Sequence, residues 1–220
     1  MFSDSIDVRA VIVGFLSITI SLTVHEFAHA WTADRLGDDT PRRAGRVTLN
    51  PLVIMAAHPI GAVVAPLLGA FNGFLFGWAA TPVNPARVRR GITIRTADML
   101  ISVAGPVSNM LLVGLSIGLF YGLSAVEAEW TEPLLQLSAY MAVTNVLLAA
   151  FNLLPIPPLD GYHVLQAKAP DGWRPALAVI EQYSFMLFLL IYFSAGRFLG
   201  PLLDVFVPDA VLYVWAVGPQ

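Results

Sequence analysis

Residues 6–34 read IDVRAVIVGFLSITISLTVHEFAHAWTAD, and this stretch decides both the fold class and the chemistry expected of the chain. A membrane-spanning helix needs about 20 mainly apolar residues, and this segment is long enough to cross a bilayer and protrude from it. Within it, His25, Glu26 and His29 place three ionisable side chains in five positions. At membrane depth such a residue costs roughly 2.5–3.5 kcal/mol on insertion scales, which favours a functional role. The alternative is a polar helix end that faces water.

The composition of the whole chain is typical of a membrane protein. Of its 220 residues, 57% are hydrophobic and only 12% are charged, whereas a soluble domain carries about 25% charged residues. The net charge is -3 and no basic stripe is present, which argues against nucleic acid as a partner. Cysteine is absent, so disulfides and thiolate metal sites are excluded. The acidic N-terminus does not have the pattern of a cleavable signal peptide.

Proline and glycine divide the rest of the chain into apolar segments of different character. Residues 51–80 are apolar but contain Pro51, Pro59 and Pro66 with several glycines. These are too many helix-breaking residues for one straight helix. Further helices are predicted at residues 97–121, 133–152, 175–195 and 198–216. We therefore expect an all-α polytopic membrane protein with about five transmembrane helices. A re-entrant, partly β element is expected between the first and the second of these helices.

The charges of the loops orient these segments in the membrane. The loop at residues 122–131 carries Glu127 and Glu129 but no lysine or arginine, whereas two other loops are rich in arginine. Those arginines are Arg35, Arg42, Arg43 and Arg46 in the first loop and Arg87, Arg89, Arg90 and Arg95 in the second. Cytoplasmic loops carry an excess of Lys and Arg, so both loops are predicted to be cytoplasmic. Residues 51–80 then enter the membrane and return, the N-terminus lies outside and the C-terminus inside.

His25, Glu26 and His29 form the H-E-x-x-H pattern on the first predicted helix. Residues four apart lie on one face of a helix, so both imidazoles can reach one zinc ion while Glu26 is placed as the general base. Catalytic zinc sites use three protein ligands, so this pair requires a third.

Asp160 is the predicted third ligand, and it lies in the stretch FNLLPIPPLDG at residues 151–161. The prolines of this stretch end the preceding helix and stiffen the loop. Gly161 is expected to let the chain turn tightly beside the carboxylate, although an aspartate before glycine is also common in ordinary turns. In the re-entrant topology the second span leads outward and the third returns. Asp160 therefore arrives on the same side of the membrane as the two histidines.

Three motifs in this order resemble the site-2 protease family of intramembrane zinc metalloproteases. They are HEFAH at residues 25–29, AGPVSN at 104–109 and FNLLPIPPLDG at 151–161. The resemblance implies one zinc ion held by His25, His29 and Asp160. It also implies Glu26 as the base and Asn152 as a catalytic residue that binds the substrate or the oxyanion.

The resemblance further implies a reaction, a location and a domain organisation. The reaction is hydrolysis of peptide bonds within or near transmembrane segments of membrane protein substrates. The location is the lipid bilayer of a prokaryotic cell (inner) membrane, with the active site toward the cytoplasmic side. Residues 1–220 are expected to form a single membrane-embedded metalloprotease domain without a PDZ or nucleotide-sensing domain. Its catalytic core is expected at about 7–163, followed by two helices at about 175–217.

Several assignments have alternatives at this point. Asn152 is either the catalytic residue or a helix C-terminal cap, and His58 is a partnered histidine or a polar group of the cavity. His163 is expected to support the ligands rather than to be one. Residues 74–83 are either an edge strand that pairs with the unwound substrate or a loop that plugs the cavity. For the whole protein, the alternatives are a membrane metal-ion transporter and a non-proteolytic binding protein of the same family.

Overall fold

The computed structural model describes residues 7–71, 77–126 and 128–217. Within these ranges the regular structure is helical and contains no strand. The α-helices are α1 Val8–Leu36, α2 Thr40–Arg43, α3 Pro51–Ala57, α4 Ala65–Phe71, α5 Ile94–Ser124, α6 Glu132–Asn152, α7 Asp160–Lys168, α8 Arg174–Gln182, α9 Ser184–Phe206 and α10 Asp209–Val217. A π-helix, Ile60–Val64, leads into α4, and 3-10 turns lie at Pro85–Arg87, Glu129–Thr131 and Asp171–Trp173.

The first predicted span is confirmed as α1, and local signals set both of its ends. The Asp7 carboxylate accepts the backbone N–H groups of Arg9 and Ala10 at 2.9 and 3.2 Å, which satisfies two free donors of the first turn. Gly37 ends the helix with a φ of 107°, a left-handed conformation that glycine adopts without strain. The 29 residues between them extend about 44 Å at 1.5 Å per residue, longer than the bilayer core of about 30 Å.

Helices α5 and α6 pack with α1 and form the centre of the protein. Apolar side chains of α5 and α6 form a core. Val207, directly after α9, and Val211 of α10 pack against it. Its buried members are Val113, Phe120, Ala139, Ala142, Val143, Val146, Val207 and Val211. Helices α1 and α6 also make a buried polar contact, in which the Ser17 hydroxyl donates to Thr144 Oγ1 at 2.8 Å. Small hydroxyl residues allow close helix approach in a membrane.

Three helices of the described chain are long and apolar enough to cross a membrane, namely α1, α5 and the helical stretch Glu129–Asn152. A fourth is possible if the bent pair Asp171–Gln182 and Ser184–Ile191 is one span. The five predicted spans are therefore not confirmed. The predicted helix at 175–195 is bent by 68° at its break, and the next helix continues to Phe206, past the expected start of the last span. Pro208 has no N–H to continue that helix, and the nine residues of α10 are too few to span alone.

The chain between α1 and α5 leaves and returns at the same end of α1. The Arg89 N–H donates to the Leu36 carbonyl at 2.9 Å, and the Asn84 N–H donates to the Asp38 carboxylate at 2.5 Å. The Arg87 guanidinium also pairs with Asp39 at 3.0 Å. The two arginine-rich loops therefore meet at the C-terminal end of α1.

The predicted β character of this segment is not found in the part that the structure describes. Residues 74–76 of the predicted edge strand lie outside the described residues, and residues 77–83 form no strand. This stretch is held by contacts to the bend between α3 and the π-helix. The Trp78 N–H donates to the Gly61 carbonyl at 3.0 Å, and His58 Nε2 lies 2.8 Å from the Ala80 carbonyl oxygen.

Candidate metal centre

The candidate centre brings together the three side chains that the sequence predicts as metal ligands. His25 and His29 lie one helical turn apart on α1, and Asp160 is the first residue of α7. Asp160 Oδ2 lies 3.3 Å from His25 Nε2 and 3.4 Å from His29 Nε2. The two Nε2 atoms are 2.9 Å apart. Both imidazoles are buried and the carboxylate is largely buried, so the cluster is enclosed by the helices around it.

Asp160 reaches the histidines differently from the sequence-based expectation. Helix α6 does end just before the prolines, at Asn152, and Pro155, Pro157 and Pro158 lie in the irregular loop that follows, in which the Pro157–Pro158 peptide bond is cis. Gly161, however, does not form a turn beside the carboxylate, because it lies in the first turn of α7. A Cβ at this position would collide with the Leu153 carbonyl oxygen. Glycine is therefore needed because the start of α7 packs directly against the end of α6.

At Gly105, in the AGPVSN motif, α5 has room only for a residue without a side chain. A Cβ built at Gly105 would lie 2.5 Å from both His25 Cε1 and His29 Nε2. The α5 backbone therefore approaches both imidazoles closely at Cε1 and Nε2, and any side chain here would displace them. The sequence analysis found the motif without a reason for its glycine, because the residues in contact are far apart in the sequence.

The outward-facing nitrogens of both imidazoles have partners on α5. His29 Nδ1 lies 2.7 Å from the Ile101 carbonyl oxygen, and His25 Nδ1 lies 2.6 Å from Asn109 Oδ1. A carbonyl oxygen only accepts, so Nδ1 of His29 carries a proton, and in the neutral ring Nε2 then has the lone pair. A second partner of this kind fixes the ring orientation of metal-binding histidines.

The arrangement fits a zinc ion on two grounds. First, Asp160 Oδ2 is buried and has no hydrogen-bond partner in the described part of the chain, an arrangement that a cation at this position would satisfy. Second, zinc binds nitrogen and oxygen ligands at about 2.0–2.2 Å, so tetrahedral ligand atoms lie about 3.3–3.5 Å apart. The separations of 3.3 and 3.4 Å from Asp160 to the two imidazoles match that edge length, whereas the two Nε2 atoms, 2.9 Å apart, would have to move slightly apart to bind one ion.

Glu26 is buried beside the cluster, and its carboxylate has a partner that the sequence analysis missed. The Thr81 hydroxyl lies 2.7 Å from Glu26 Oε2 and 3.2 Å from the Glu26 backbone carbonyl oxygen. Thr81 belongs to the stretch at residues 77–83, which has no regular secondary structure and contacts His58 and Gly61. No local pattern in the sequence indicates this contact, because 55 residues separate its two partners.

His58 contacts the backbone of Ala80 and does not belong to the metal cluster. Its Nε2 lies 2.8 Å from the Ala80 carbonyl oxygen and 3.3 Å from the Ala80 nitrogen. The interpretation of His58 as a partnered histidine in a bent segment is therefore the correct one of the two. The contact between His58 and Ala80 stabilises the position of residues 77–83, which include Thr81.

Asn152 and His163 lie outside the three-residue cluster. The Asn152 amide donates to the Leu148 carbonyl at 2.9 Å, within its own helix. His163 Nδ1 lies 3.2 Å from Asp98 Oδ2, and about half of its side chain is exposed. This hydrogen bond raises the pKa of His163 above its usual value. His163 therefore binds Asp98 near the start of α5 and is not a third imidazole of the cluster.

Comparison with known proteins gives the family. The model of peptidase family M50 matches residues 52–193. "Putative zinc metalloprotease YwhC" of Bacillus subtilis is 37% identical over 183 residues, which are 80% of this chain and 78% of the relative. "Putative zinc metalloprotease Rip2" of Mycolicibacterium smegmatis is 33% identical over 184 residues, 82% of this chain and 65% of the relative.

A Rip2 protein of Mycobacterium tuberculosis is 33% identical over 194 residues, 86% of this chain and 68% of the relative. The chain thus spans about two thirds of the length of the mycobacterial relatives it matches. No solved structure matches it. The family match covers the AGPVSN and FNLLPIPPLDG motifs, and the relatives extend the likeness over most of the chain. The chain belongs to peptidase family M50, the site-2 protease family, as its three motifs predicted.

Proposed function

We propose that this protein is an intramembrane zinc metalloprotease, which hydrolyses peptide bonds within or near transmembrane segments of membrane protein substrates. The observation that carries the proposal is a buried carboxylate, Glu26, adjacent in sequence to a closed cluster of His25, His29 and Asp160. The family and the printed names of the relatives support zinc as the metal. One ion bound by these three residues leaves a fourth position open, as catalytic zinc sites require.

Each residue of the site has a proposed role in the reaction. When bound, zinc supplies Lewis acidity, which polarises a peptide carbonyl and makes a neighbouring water more acidic. The Glu26 carboxylate takes a proton from the attacking water and later passes it to the nitrogen of the leaving amine. Asn152 donates a hydrogen bond to the developing oxyanion through the amide N–H that is not bound to Leu148.

A metal-ion transporter is the competing function, and the geometry favours the protease. A transporter needs metal-binding side chains distributed along a path through the membrane. Here the ligand atoms of the three candidates all lie within 4.8 Å of one another, and they form the one such group in the described residues. A general base beside this group has a role in hydrolysis and none in conduction. A non-proteolytic binding protein is disfavoured because all four predicted positions are intact.

We propose that the active site opens toward the cytoplasmic side of a bacterial cell membrane. The contacts of Arg89 with Leu36 and of Arg87 with Asp39 hold both arginine-rich loops at one end of α1. That end also lies toward His29 and α7. The positive-inside bias then places this end in the cytoplasm. A reporter fused after Arg90 should be cytoplasmic, and an external reporter would refute this orientation.

We propose that the stretch at residues 77–83, which has no regular secondary structure, pairs in an extended conformation with the unwound substrate. In an extended chain the backbone groups of alternate residues point to opposite sides. Trp78 and Ala80 use their inner side to bind Gly61 and His58. Ala79 therefore directs its backbone groups to the opposite side, where no described residue binds them. Such a free edge, two residues from the Glu26 contact at Thr81, can add an extended peptide by main-chain hydrogen bonds.

A proline at residue 79 tests this edge, because it removes the outward N–H and leaves the inner contacts of Trp78 and Ala80 intact. Ala79→Pro should lower the rate of cleavage while zinc remains bound. Ala79→Val keeps the N–H and serves as the matched control. Equal cleavage by the two variants would refute the edge-strand role.

Substrate trapping with Glu26→Gln tests the proposed function as a whole. The variant keeps the shape of the side chain but cannot accept the proton, so membrane proteins should remain bound to it after purification. The parent protein should then cleave the trapped proteins within or near a transmembrane segment. Metal transport by both proteins, without cleavage by the parent, would favour the transporter.

A further inference from the structure

A chain of buried amide side chains connects His25 to helix α6. Asn109 of α5 and Asn145 of α6 are both 0% exposed. Asn109 Oδ1 lies 2.6 Å from His25 Nδ1, and Asn109 Nδ2 lies 2.7 Å from Asn145 Oδ1. Asn145 Nδ2 lies 2.8 Å from the Met141 carbonyl oxygen and 2.9 Å from Ser21 Oγ. The contacts therefore run in one line from α6 through α5 to the imidazole on α1.

The Met141 carbonyl fixes the direction of every hydrogen bond in this line. A backbone carbonyl oxygen can only accept, so the Asn145 NH2 group must face it and Asn145 Oδ1 must face Asn109. Asn109 then donates its own NH2 group to that oxygen. Its remaining oxygen, Oδ1, faces His25 and can only accept, so the His25 proton lies on Nδ1.

We propose that Asn109 and Asn145 are positioning residues of the metal centre, which hold His25 as the Nδ1–H tautomer with the Nε2 lone pair directed at the metal. The inference rests on the proposed role of His25 as a ligand. Tautomer control by a partner on the second ring nitrogen is a general requirement of histidine ligands. Here the control comes from a residue on α6 that contacts neither the metal ligands nor Glu26.

The competing explanation is that the two asparagines only join the helices. Interhelical amide hydrogen bonds stabilise membrane helix packing without any other role. The Ser17–Thr144 hydrogen bond is a matched control for this explanation, because it is buried between the same helices, α1 and α6. It makes no described contact with His25. Its removal should therefore affect helix packing and leave the metal centre unchanged.

Zinc affinity, measured by chelator competition on the purified full chain in detergent, separates the explanations. Asn109→Leu removes the acceptor for His25 and should weaken zinc binding about 10- to 100-fold, the usual effect of losing such a partner. Asn109→Asp keeps an oxygen facing Nδ1 but sets its second oxygen against Asn145 Oδ1, so it should lose some zinc affinity and still bind more tightly than Asn109→Leu. Asn145→Leu lets the Asn109 amide rotate and should weaken binding less than Asn109→Leu. Ser17→Ala should bind zinc as the parent does.

Imidazole ¹⁵N chemical shifts of the zinc-free protein supply a second measurement that does not depend on folding energy. His25 should show a protonated Nδ1 in the parent and in Asn109→Asp, and a mixture of tautomers in Asn145→Leu. The proposal is overturned if Asn109→Asp binds zinc as weakly as Asn109→Leu, or if Ser17→Ala loses as much affinity as Asn145→Leu. If Asn109→Leu does not fold, Asn145→Leu alone decides the comparison with Ser17→Ala. Zinc binding that survives His25→Ala would instead refute the proposed ligand set.

Discussion

Replacing Thr81 with valine removes the hydroxyl that lies 2.7 Å from Glu26 Oε2 and keeps nearly the same side-chain volume. A hydrogen bond to a charged group contributes about 1.5–3 kcal/mol. If that contribution holds the carboxylate in its reactive orientation, its loss lowers the rate about 10- to 150-fold, since 1.36 kcal/mol is a factor of ten. We therefore expect kcat to fall within that range while KM and zinc content stay unchanged.

The assay compares Thr81→Val with Thr81→Ser in cleavage of a purified transmembrane substrate in proteoliposomes. Serine keeps the hydroxyl and loses only a methyl group, so it should restore most of the parental kcat. A role limited to packing would give the opposite order, because valine fills the space better than serine does. Parental activity in Thr81→Val, or activity in Thr81→Ser no higher than in Thr81→Val, would refute the positioning role of Thr81.

Three further outcomes follow from the packing around the ligands. Gly105→Ala should abolish zinc binding in a chelator-competition assay, because its Cβ would lie 2.5 Å from both imidazoles, whereas Gly114→Ala on the same helix has open space and should be neutral. Gly161→Ala should lower the thermal stability and the zinc content, since the added Cβ meets the Leu153 carbonyl, while the open Gly172 tolerates alanine. Asp160→Ala should lose the metal but keep the helical circular dichroism signal, and retained stoichiometric zinc would contradict its role as a ligand.

The grouping of the three candidate ligands could be predicted from the sequence because it depends on simple regularities. The spacing of His25 and His29 places them on one helix face, and the charges of the loops determine the side on which Asp160 arrives. Both arguments need only the helical period and the number of crossings. The structure confirms that the three side chains lie together.

The supporting residues could not be predicted, because their contacts are non-local. Thr81 meets Glu26 only after the intervening chain has bent at His58 and returned. Asn145 acts through Asn109, and nothing in the apolar sequence of α6 distinguishes it from an amide that joins helices. In each case the packing of separate elements decides the partner, and the sequence pattern within one element contains no information about it.

The C-terminal helices were placed less well for a different physical reason. Hydropathy finds apolar segments but does not show where a helix breaks inside them. The break at Tyr183 has no proline or glycine to mark it, and α9 continues through Pro201 before it ends near Pro208. The boundary between the last two predicted spans therefore fell within one continuous helix.

The most direct test of the central claim is cleavage of a transmembrane substrate by the purified protein in proteoliposomes, compared between the parent and Glu26→Gln at equal zinc content. We expect one zinc per chain in both proteins, cleavage by the parent that stops on chelation and returns with zinc, and no cleavage by the variant. Cleavage by Glu26→Gln at the parental rate, or parental cleavage that persists without metal, would contradict the central claim.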